Sequence, residues 1–345
     1  MTKLLSDTAD DVALAAHLLS KGEVVALPTE TVYGLAANAL DDVAVRQIFN
    51  IKGRPLIDPL IVHVGVYAQL DPIVNFSACR HTSILDALAQ AFWPGPMTIV
   101  LPKKPVIPDL VTAGKATVAV RIPRHPLTRA ILSRCQLPLA APSANPFGYV
   151  SPTRAEHVTD SLGVKIAYVV DGGPCDEGLE STIIDLSYSK PRVLRPGPIS
   201  IEQLETHCKT AFTVVERYQH PSTSSGETAP GSLYRHYSPN AQLILIDADT
   251  HVDALLNIPE LNETKCAYVS LGRIPVYSRI CDKCRHFWLS ETQHDLKNAA
   301  KNVFHLLREI DRQNYEWIFF ERPPMHGVGV ALNDRLRRAA ARSTQ

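Results

Sequence analysis

Hydrophobic residues in the first 200 positions alternate between helical spacing and short unbroken runs. Apolar residues at i, i+3, i+4 and i+7 after the acidic pair at 10–11 predict a first helix that stops at Gly22, and the pattern over 43–51 predicts a second. Unbroken apolar runs predict buried strands at 24–27, 60–64, 97–101, 118–122, 137–141, 167–170, 182–186 and 192–195. Such strands, interspersed with helices, are typical of a sheet covered on both faces. Because several connections are too short for a crossover helix, we expect a mixed sheet.

A second, smaller α/β pattern follows a linker. Ser200 and Gln203 fit a capping box that opens the last helix of the first pattern. The regular pattern is lost after Arg217, where residues 220–226 have linker composition. Beyond Pro239, strand patterns at 243–246, 267–271 and 317–320 and a helical stripe over 296–310 predict a small Rossmann-like sheet. It lacks the G-x-G-x-x-G fingerprint, so we assign it no dinucleotide. We therefore predict domains at 1–210 and 241–345, joined by a linker at 211–240.

Composition limits the function classes. The 345 residues contain 35 Lys and Arg against 35 Asp and Glu, so the chain has no net charge. Any contact with RNA or phosphate must therefore come from a local patch of positive charge. Seven scattered cysteines do not resemble a disulfide framework. The acidic start does not fit a signal peptide, and no apolar stretch approaches the roughly 18–20 residues that span a bilayer. We expect a cytoplasmic protein without membrane contact.

Cationic and hydroxyl side chains cluster where the predicted strands end. Lys52 and Arg54 flank a glycine on a loop, and Arg121 and Arg195 end apolar strands. A guanidinium there is costly to bury unless it meets an anion, and its geometry matches a carboxylate or phosphate. The hydroxyl-rich segments are 28–31, 143–146 and 178–182. These features predict an anion-binding pocket without a Walker A loop.

Each candidate also has a purely structural interpretation. Lys52 and Arg54 are also compatible with a solvated turn. His63, taken by itself, is more typical of a hydrogen-bonded core histidine, and Arg121 is also compatible with a buried ion pair. The remaining hydroxyl and amide residues are equally compatible with local turn caps, namely Thr29, Thr31, Ser143 and Asn145.

Metal and covalent chemistry have little support in the sequence. Cys281 and Cys284, with His286 nearby, resemble part of a zinc site, but a closed structural site needs four ligands and no second cysteine pair follows. We therefore assign no protein-bound metal. No Ser-His-Asp or Cys-His arrangement is recognisable, so a covalent nucleophile is not expected.

Taken together, the motifs resemble the threonylcarbamoyl-AMP synthase family, in its long form with a YrdC-like catalytic domain and a C-terminal domain. In the first half, the segments that carry the resemblance are 28–35, 52–55, 59–63, 93–98, 118–123, 141–145, 180–183 and 194–197. In the second half, residues 234–239 and 332–336 resemble the family's linker and C-terminal ending. One departure is Ser232-Leu233, where the family more often has Met and a basic residue.

The resemblance implies a fold and a reaction. The fold would be a YrdC-like twisted mixed sheet with helices and an open concave pocket, followed by the small Rossmann-like α/β domain. The activity would be that of an L-threonylcarbamoyladenylate synthase, a nucleotidyltransferase that converts L-threonine, bicarbonate and ATP, with Mg²⁺, into threonylcarbamoyl-AMP and pyrophosphate. The product serves the threonylcarbamoyladenosine modification of tRNAs reading codons that begin with A. A downstream tRNA threonylcarbamoyl-transferase machinery would be the partner, and any direct RNA contact would be weak.

The resemblance also implies residue roles. Threonine would be held by Thr31, His63, Arg121, the Ala141 backbone and Ser181, with Arg121 pairing with its carboxylate. ATP would be held by Arg54, Asp58, Thr117, Ser143, Ser151 and Arg195, with His236 and Tyr237 reaching back from the linker. The residues that line the phosphate region and are expected to be catalytic are Lys52, Arg54, Ser143 and Asn145.

Two alternatives belong to other functional classes. One is a non-catalytic double-stranded-RNA-binding or ribosome-maturation factor, which the absence of net charge disfavours. The other is a carbamoyl-transferring hydrogenase-maturation enzyme, a family with an acylphosphatase-like segment and paired zinc-finger cysteines that this sequence does not show.

Overall fold

The computed structural model describes residues 2–215, 236–247, 265–273 and 284–341. The chain divides into two compact units. The first comprises Met1–Phe147 and Ser151–Tyr234, and the second comprises Gly148–Val150 and Arg235–Gln345. Within the described ranges, no helix combines the length and the apolar character needed to cross a bilayer.

The first unit alternates short strands and helices along the chain. Its helices are α1 (Ala9–Ser20), α2 (Asp42–Lys52), α3 (Thr82–Phe92), α4 (Asp109–Thr112), α5 (Pro126–Cys135), α6 (Ala155–Leu162) and α7 (Ile201–Cys208). Its strands are β1 (Lys3–Leu5), β2 (Val25–Leu27), β3 (Gly34–Asn38), β4 (Ile61–His63), β5 (Met97–Pro102), β6 (Thr117–Arg121), β7 (Leu139–Ala140), β8 (Tyr168–Val170), β9 (Thr182–Asp185), β10 (Arg192–Arg195) and β11 (Thr213–Val214).

These strands form one mixed sheet, as predicted. Its order is β1-β8-β2-β3-β7-β4-β6-β5-β9-β10-β11. The sheet combines parallel pairs, such as β4 with β6, and antiparallel pairs, such as β5 with β6. Strand β6, near the middle, buries its Val118, Ala119 and Val120 side chains.

Local sequence signals explain the helix boundaries. The Thr8 side chain accepts a hydrogen bond from Asp11 N and starts α1, and the Ser200–Gln203 capping box starts α7. Helix α2 ends at Gly53, whose φ of 63° lies in the left-handed region that glycine adopts without strain. This stop directs the chain from Lys52 into the loop that carries Arg54.

The predicted helices and strands are confirmed, with ends shifted by one or two residues. Sequence patterns missed other elements, including β1 and α3. Strand β1 is only three residues long and pairs with β8, about 165 residues further along the chain, so that no local periodicity marks it.

The second unit contains a small parallel sheet. Its strands are β12 (Gln242–Ile246), β13 (Cys266–Gly272), β14 (Cys284–Ser290) and β15 (Trp317–Glu321), in the order β12-β15-β13-β14. Helices α8 (Leu296–Arg312) and α9 (Val328–Ala340) complete it. The predicted Rossmann-like sheet is thus confirmed, and β14 is an added strand.

Cys281, which raised the question of a zinc site, lies outside the described residues. Cys284 is buried in β14 opposite Cys266, and His286 forms a 2.7 Å hydrogen bond with Ser270 Oγ.

Candidate active site

Two groups of buried or half-buried polar residues lie around strands β4 and β6. These strands run parallel, with Ile61 opposite Ala119 and His63 opposite Arg121. The β2–β3 loop joins the two groups, since Ala144 N donates to the Tyr33 carbonyl at 2.8 Å. We name these groups the Arg121 cluster (Glu30, Thr31, His63, Arg121, Ser181 and Arg195) and the Lys52 cluster (Lys52, Arg54, Asp58, Ser143 and Asn145).

Arg121 forms a buried ion pair with Glu30. Its Nη2 lies 2.8 Å from Glu30 Oε1, its Nη1 donates to Thr31 Oγ1 at 2.8 Å, and its Nε donates to the Gly95 carbonyl at 3.2 Å. Glu30 Oε2 accepts a hydrogen bond from Arg124 N at 2.9 Å. Burial alone would raise the pKa of Glu30, but the charge and hydrogen bond of Arg121 outweigh it, so that the pKa is lowered. Glu30 is therefore an ionised partner of Arg121.

Thr29 and Thr31 have different roles in the same loop. Thr29 Oγ1 accepts hydrogen bonds from the Thr31 and Val32 amides, which is the turn-capping interaction considered from sequence. Thr31 Oγ1 instead receives a hydrogen bond from Arg121. The structure thus places Thr31, but not Thr29, directly on the guanidinium.

His63 is buried and electrically neutral. Burial and the neighbouring charge of Arg121 lower the pKa of His63 to about 3. Its Nδ1 is buried and has no hydrogen-bond partner among the described residues. A buried histidine normally satisfies such an atom, so the interpretation as a hydrogen-bonded core residue does not account for it.

Ser181 and Arg195 complete the Arg121 cluster. Ser181 Oγ lies 2.7 Å from Thr98 Oγ1, and Thr98 is the β5 residue opposite Arg121. Arg195 donates from Nε and Nη2 to the Ser181 carbonyl at 3.2 and 3.0 Å. Arg195, which the resemblance assigns to ATP, therefore contacts a residue assigned to threonine.

Lys52 holds the loop that contains Ser143 and Asn145. Its Nζ donates to the carbonyl oxygens of these two residues at 2.5 and 2.6 Å. Lys52 is 4% exposed, so the interpretation as a solvated turn is wrong. Burial, followed by the charge of Arg54, lowers the pKa of Lys52 well below its usual value, although Asp58 opposes this shift.

Arg54 is also buried and pairs with Asp58. Its Nη2 lies 2.9 Å from Asp58 Oδ2, its Nε donates to the Asp58 carbonyl, and its Nη2 also donates to the Pro59 carbonyl. These bonds fix the loop between α2 and β4.

The other predicted residues lie around the two clusters. Ala141 N donates to the Ile61 carbonyl at 3.0 Å, so Ala141 lies beside β4. Thr117 is the first residue of β6, the strand that Arg121 ends. Ser151 is buried, and its Oγ donates to Glu180 Oε1 at 2.5 Å.

His236 and Tyr237 are described within the second unit. Their rings lie 4.1 Å apart, and the Tyr237 ring stacks on Phe304 at 5.6 Å. The guanidinium of Arg335 lies 5.2 Å from the Tyr237 ring centre and pairs with Asp334. Tyr237 has a φ of 62°, which is unusual for a tyrosine and indicates a backbone held by its surroundings.

Sequence reasoning missed the two buried glutamates. Glu30 and Glu180 both lie inside quoted motifs, yet neither was given a role. The available signal was that a buried arginine or serine needs a partner, but nothing local indicates which carboxylate supplies it.

A separate open cavity of about 560 Å³ contains none of the predicted site residues. It is lined by residues such as Tyr67, Asp86, Trp93 and Arg129. Its lining includes Ile122, the neighbour of Arg121, but we assign the cavity no part in the chemistry.

The fold and the two clusters define an α/β domain of the YrdC-like type, with the buried basic residues Lys52, Arg54, Arg121 and Arg195 around its central strands. A family model described as "Telomere recombination" (Sua5, YciO and YrdC) matches residues 17–197, and one described as "Threonylcarbamoyl-AMP synthase, C-terminal domain" matches residues 199–341. The chain belongs to the threonylcarbamoyl-AMP synthase family.

Individual relatives support this assignment over the full length. The chain is 38% identical to a threonylcarbamoyl-AMP synthase of Pyrococcus abyssi, covering 95% of this chain and 94% of that protein. It is 36% identical to the Bacillus subtilis protein of that name, covering 99% and 96%. The crystal structure of P. abyssi Sua5 complexed with L-threonine is 35% identical, with a TM-score of 0.88 and 98% of each chain covered.

We predict that Gly197→Ala impairs the Arg121 cluster. An added Cβ would lie 2.3 Å from Thr182 N and 2.7 Å from Ser181 C, so the backbone that carries Ser181 must move. Because small misplacements of positioning groups are costly, we expect at least about tenfold weaker binding of L-threonine, measured by calorimetric titration. Gly114→Ala is the control, since no atom lies within 4 Å of its added Cβ, although its φ of +75° is in the left-handed region. Equal affinities in both variants would contradict the prediction.

The buried neutral His63 predicts an acid-dependent loss of stability. In the unfolded state, His63 takes up a proton below its ordinary pKa of 6.5. In the folded state its pKa is about 3, so the free energy of unfolding falls as the pH falls between these two values. Between pH 7 and pH 5 this contribution amounts to about 2 kcal/mol. In urea unfolding, we expect the free energy of unfolding of His63→Gln to fall between pH 7 and pH 5 by about 2 kcal/mol less than that of the wild type. A loss identical to that of the wild type would show that His63 does not titrate in this way.

Proposed function

We propose that the chain is an L-threonylcarbamoyladenylate synthase, a nucleotidyltransferase that forms threonylcarbamoyl-AMP and pyrophosphate from L-threonine, bicarbonate and ATP. The observation that carries the proposal is that the β2–β3 loop joins the two clusters. Arg121 donates to Thr31 Oγ1, and the carbonyl of Tyr33, two residues further on, accepts a 2.8 Å hydrogen bond from Ala144 N in the Ser143–Asn145 loop. Neighbouring sites for a carboxylate and for phosphates suit an amino acid and a nucleoside triphosphate whose reacting atoms must meet.

The Arg121 cluster suits a zwitterionic amino acid. Among the described residues, three of the five N–H groups of Arg121 are engaged, which leaves two for a carboxylate. His63 offers an unpaired Nδ1 beside it. The ionised Glu30 compensates the charge of Arg121, so that the empty site does not bury a lone cation.

The reaction requires positioning rather than a protein nucleophile. The threonine amine and bicarbonate combine to a carbamate with loss of water, and a carbamate oxygen then attacks the α-phosphorus of ATP. The α-phosphorus bond to the bridging oxygen breaks, and pyrophosphate leaves with that electron pair. Holding the two reactants in line supplies much of the rate enhancement. This agrees with the absence of a recognisable catalytic triad in the sequence.

The Lys52 cluster would receive the phosphates. Lys52 keeps the Ser143–Asn145 loop in place through two carbonyls, and Arg54 is held against Asp58. In this proposal these residues line the phosphate region, with Ser151 and Arg195 completing the nucleotide site within the first unit. Because Asp58 is already paired with Arg54, the residues fit a metal that arrives with ATP better than one held by the protein. Mg²⁺ bound to ATP would neutralise the phosphates and assist departure of pyrophosphate.

The product would pass to an enzyme that transfers the threonylcarbamoyl group to tRNA. A cytoplasmic location and at most weak RNA contact agree with this proposal. Zero net charge offers no general affinity for RNA.

The decisive measurement is pyrophosphate release by the purified chain. We expect release from ATP only when L-threonine, bicarbonate and Mg²⁺ are all present, together with formation of threonylcarbamoyl-AMP detected by mass spectrometry. Release that does not depend on threonine would overturn the proposal. Salt-sensitive binding of double-stranded RNA without turnover would instead favour the non-catalytic RNA-binding alternative.

We expect Arg121→Ala to reduce threonine-dependent pyrophosphate release by about 10²-fold or more, because it removes a charged positioning group. The matched control is Arg124→Ala, which removes a half-exposed arginine that pairs with Glu177. Since Arg121→Ala leaves Glu30 buried without its partner, it can also destabilise the domain. The double variant Arg121→Gln with Glu30→Gln removes both charges and should stay folded yet inactive. Near-normal turnover by a folded variant would refute the role.

A further inference from the structure

Three residues from the first half of the chain belong to the second unit. Gly148–Val150 group with residues after 235, although they lie only a few positions from Asn145 and directly precede Ser151. At most about 10 Å of extended chain joins Asn145 to Gly148, and Val150 is bonded to Ser151. Any displacement of this segment therefore reaches both residues through the backbone.

Asp311 of helix α8 holds this segment and the end of the linker together. Its Oδ2 accepts a 2.9 Å hydrogen bond from the Tyr149 hydroxyl. The same carboxylate accepts hydrogen bonds from Asn240 N at 2.9 Å and from Ala241 N at 3.2 Å. Burial and the nearby Asp311 charge raise the pKa of Tyr149 to about 12, which keeps its hydroxyl a proton donor.

Arg308 contacts the segment one turn earlier on the same helix. It is buried, its Nη2 donates to the Val150 carbonyl, and its guanidinium lies 4.8 Å from the centre of the Tyr149 ring. The linker also pairs directly with the segment, since Ser238 N donates to the Gly148 carbonyl at 2.9 Å. Ser238 immediately follows Tyr237, so these contacts join His236-Tyr237 to residues 148–150.

We propose that Arg308 and Asp311 are positioning residues for Asn145 and Ser151, acting through the backbone of Gly148–Val150. This inference rests on the proposed function, because it assumes that Asn145 and Ser151 contact ATP. Arg308 and Asp311 would then affect nucleotide binding without contacting the reacting groups. The segment reaches the Arg121 cluster only indirectly, from Ser151 Oγ through Glu180 to the adjacent Ser181, so we expect a much smaller effect on threonine binding than on nucleotide binding.

The test compares nucleotide and threonine binding in full-length variants. In Asp311→Ala we expect the KM for ATP, measured by pyrophosphate release, and the Kd of a non-hydrolysable ATP analogue, measured by calorimetry, to rise about tenfold. The Kd of L-threonine should stay within about twofold of the wild-type value. Arg308→Ala should behave alike, and Arg308→Lys should recover part of the loss because it retains a donor for Val150.

The Tyr149 hydroxyl gives a second readout. Tyr149→Phe removes one of the hydrogen bonds to Asp311, so its effect should not add to that of Asp311→Ala in the double variant. The matched control is Glu309→Ala, which removes a carboxylate of the same helix that contacts Gln313. It should leave both affinities unchanged.

Two results would overturn the inference. One is an ATP-analogue affinity in Asp311→Ala within about twofold of that in Glu309→Ala. The other is an equal loss of threonine and nucleotide binding, which would indicate general destabilisation. A failure of the proposed function would look different from a failure of this inference. In that case the wild-type chain would release no threonine-dependent pyrophosphate, whatever the binding affinities of the variants.

Discussion

The candidate active site depends on burying the Arg121 guanidinium in the interior of a sheet. An unpaired cation there would cost several kcal/mol, so the fold must supply an anion and acceptors. The partners are Glu30, Thr31 Oγ1 and the Gly95 carbonyl. None of them belongs to β6, the strand that carries Arg121. These contacts engage three of the five N–H groups of Arg121, and the proposed function assigns the other two to the carboxylate of threonine.

The same principle operates in the Lys52 cluster. Lys52 is buried against the Ser143–Asn145 loop, and Arg54 is fixed by Asp58. Both side chains are held by the protein itself, which reduces the reorganisation needed on binding. The β2–β3 loop joins the two clusters, because Thr31 contacts Arg121 and Tyr33 contacts Ala144.

The second unit extends this arrangement through the backbone. Its parallel sheet and helices bury Tyr237 in a left-handed conformation, and helix α8 holds three residues of the first half of the chain. A domain without a dinucleotide fingerprint thus has a structural role that its own sequence pattern does not indicate. Hydrophobic periodicity records which residues are buried, not which segments they are buried against.

The sequence by itself determined most strands and helices, the mixed character of the sheet, and the loop on which Lys52 and Arg54 lie. These features follow from local periodicity and from glycine and proline at the ends of elements. Only the tertiary structure decided that Glu30 is the partner of Arg121, which lies 91 residues further along the chain. The same is true of the contact between Arg195 and Ser181 and of the grouping of Gly148–Val150 with the second unit. These pairings depend on strand order and register across the whole chain, which no local pattern encodes.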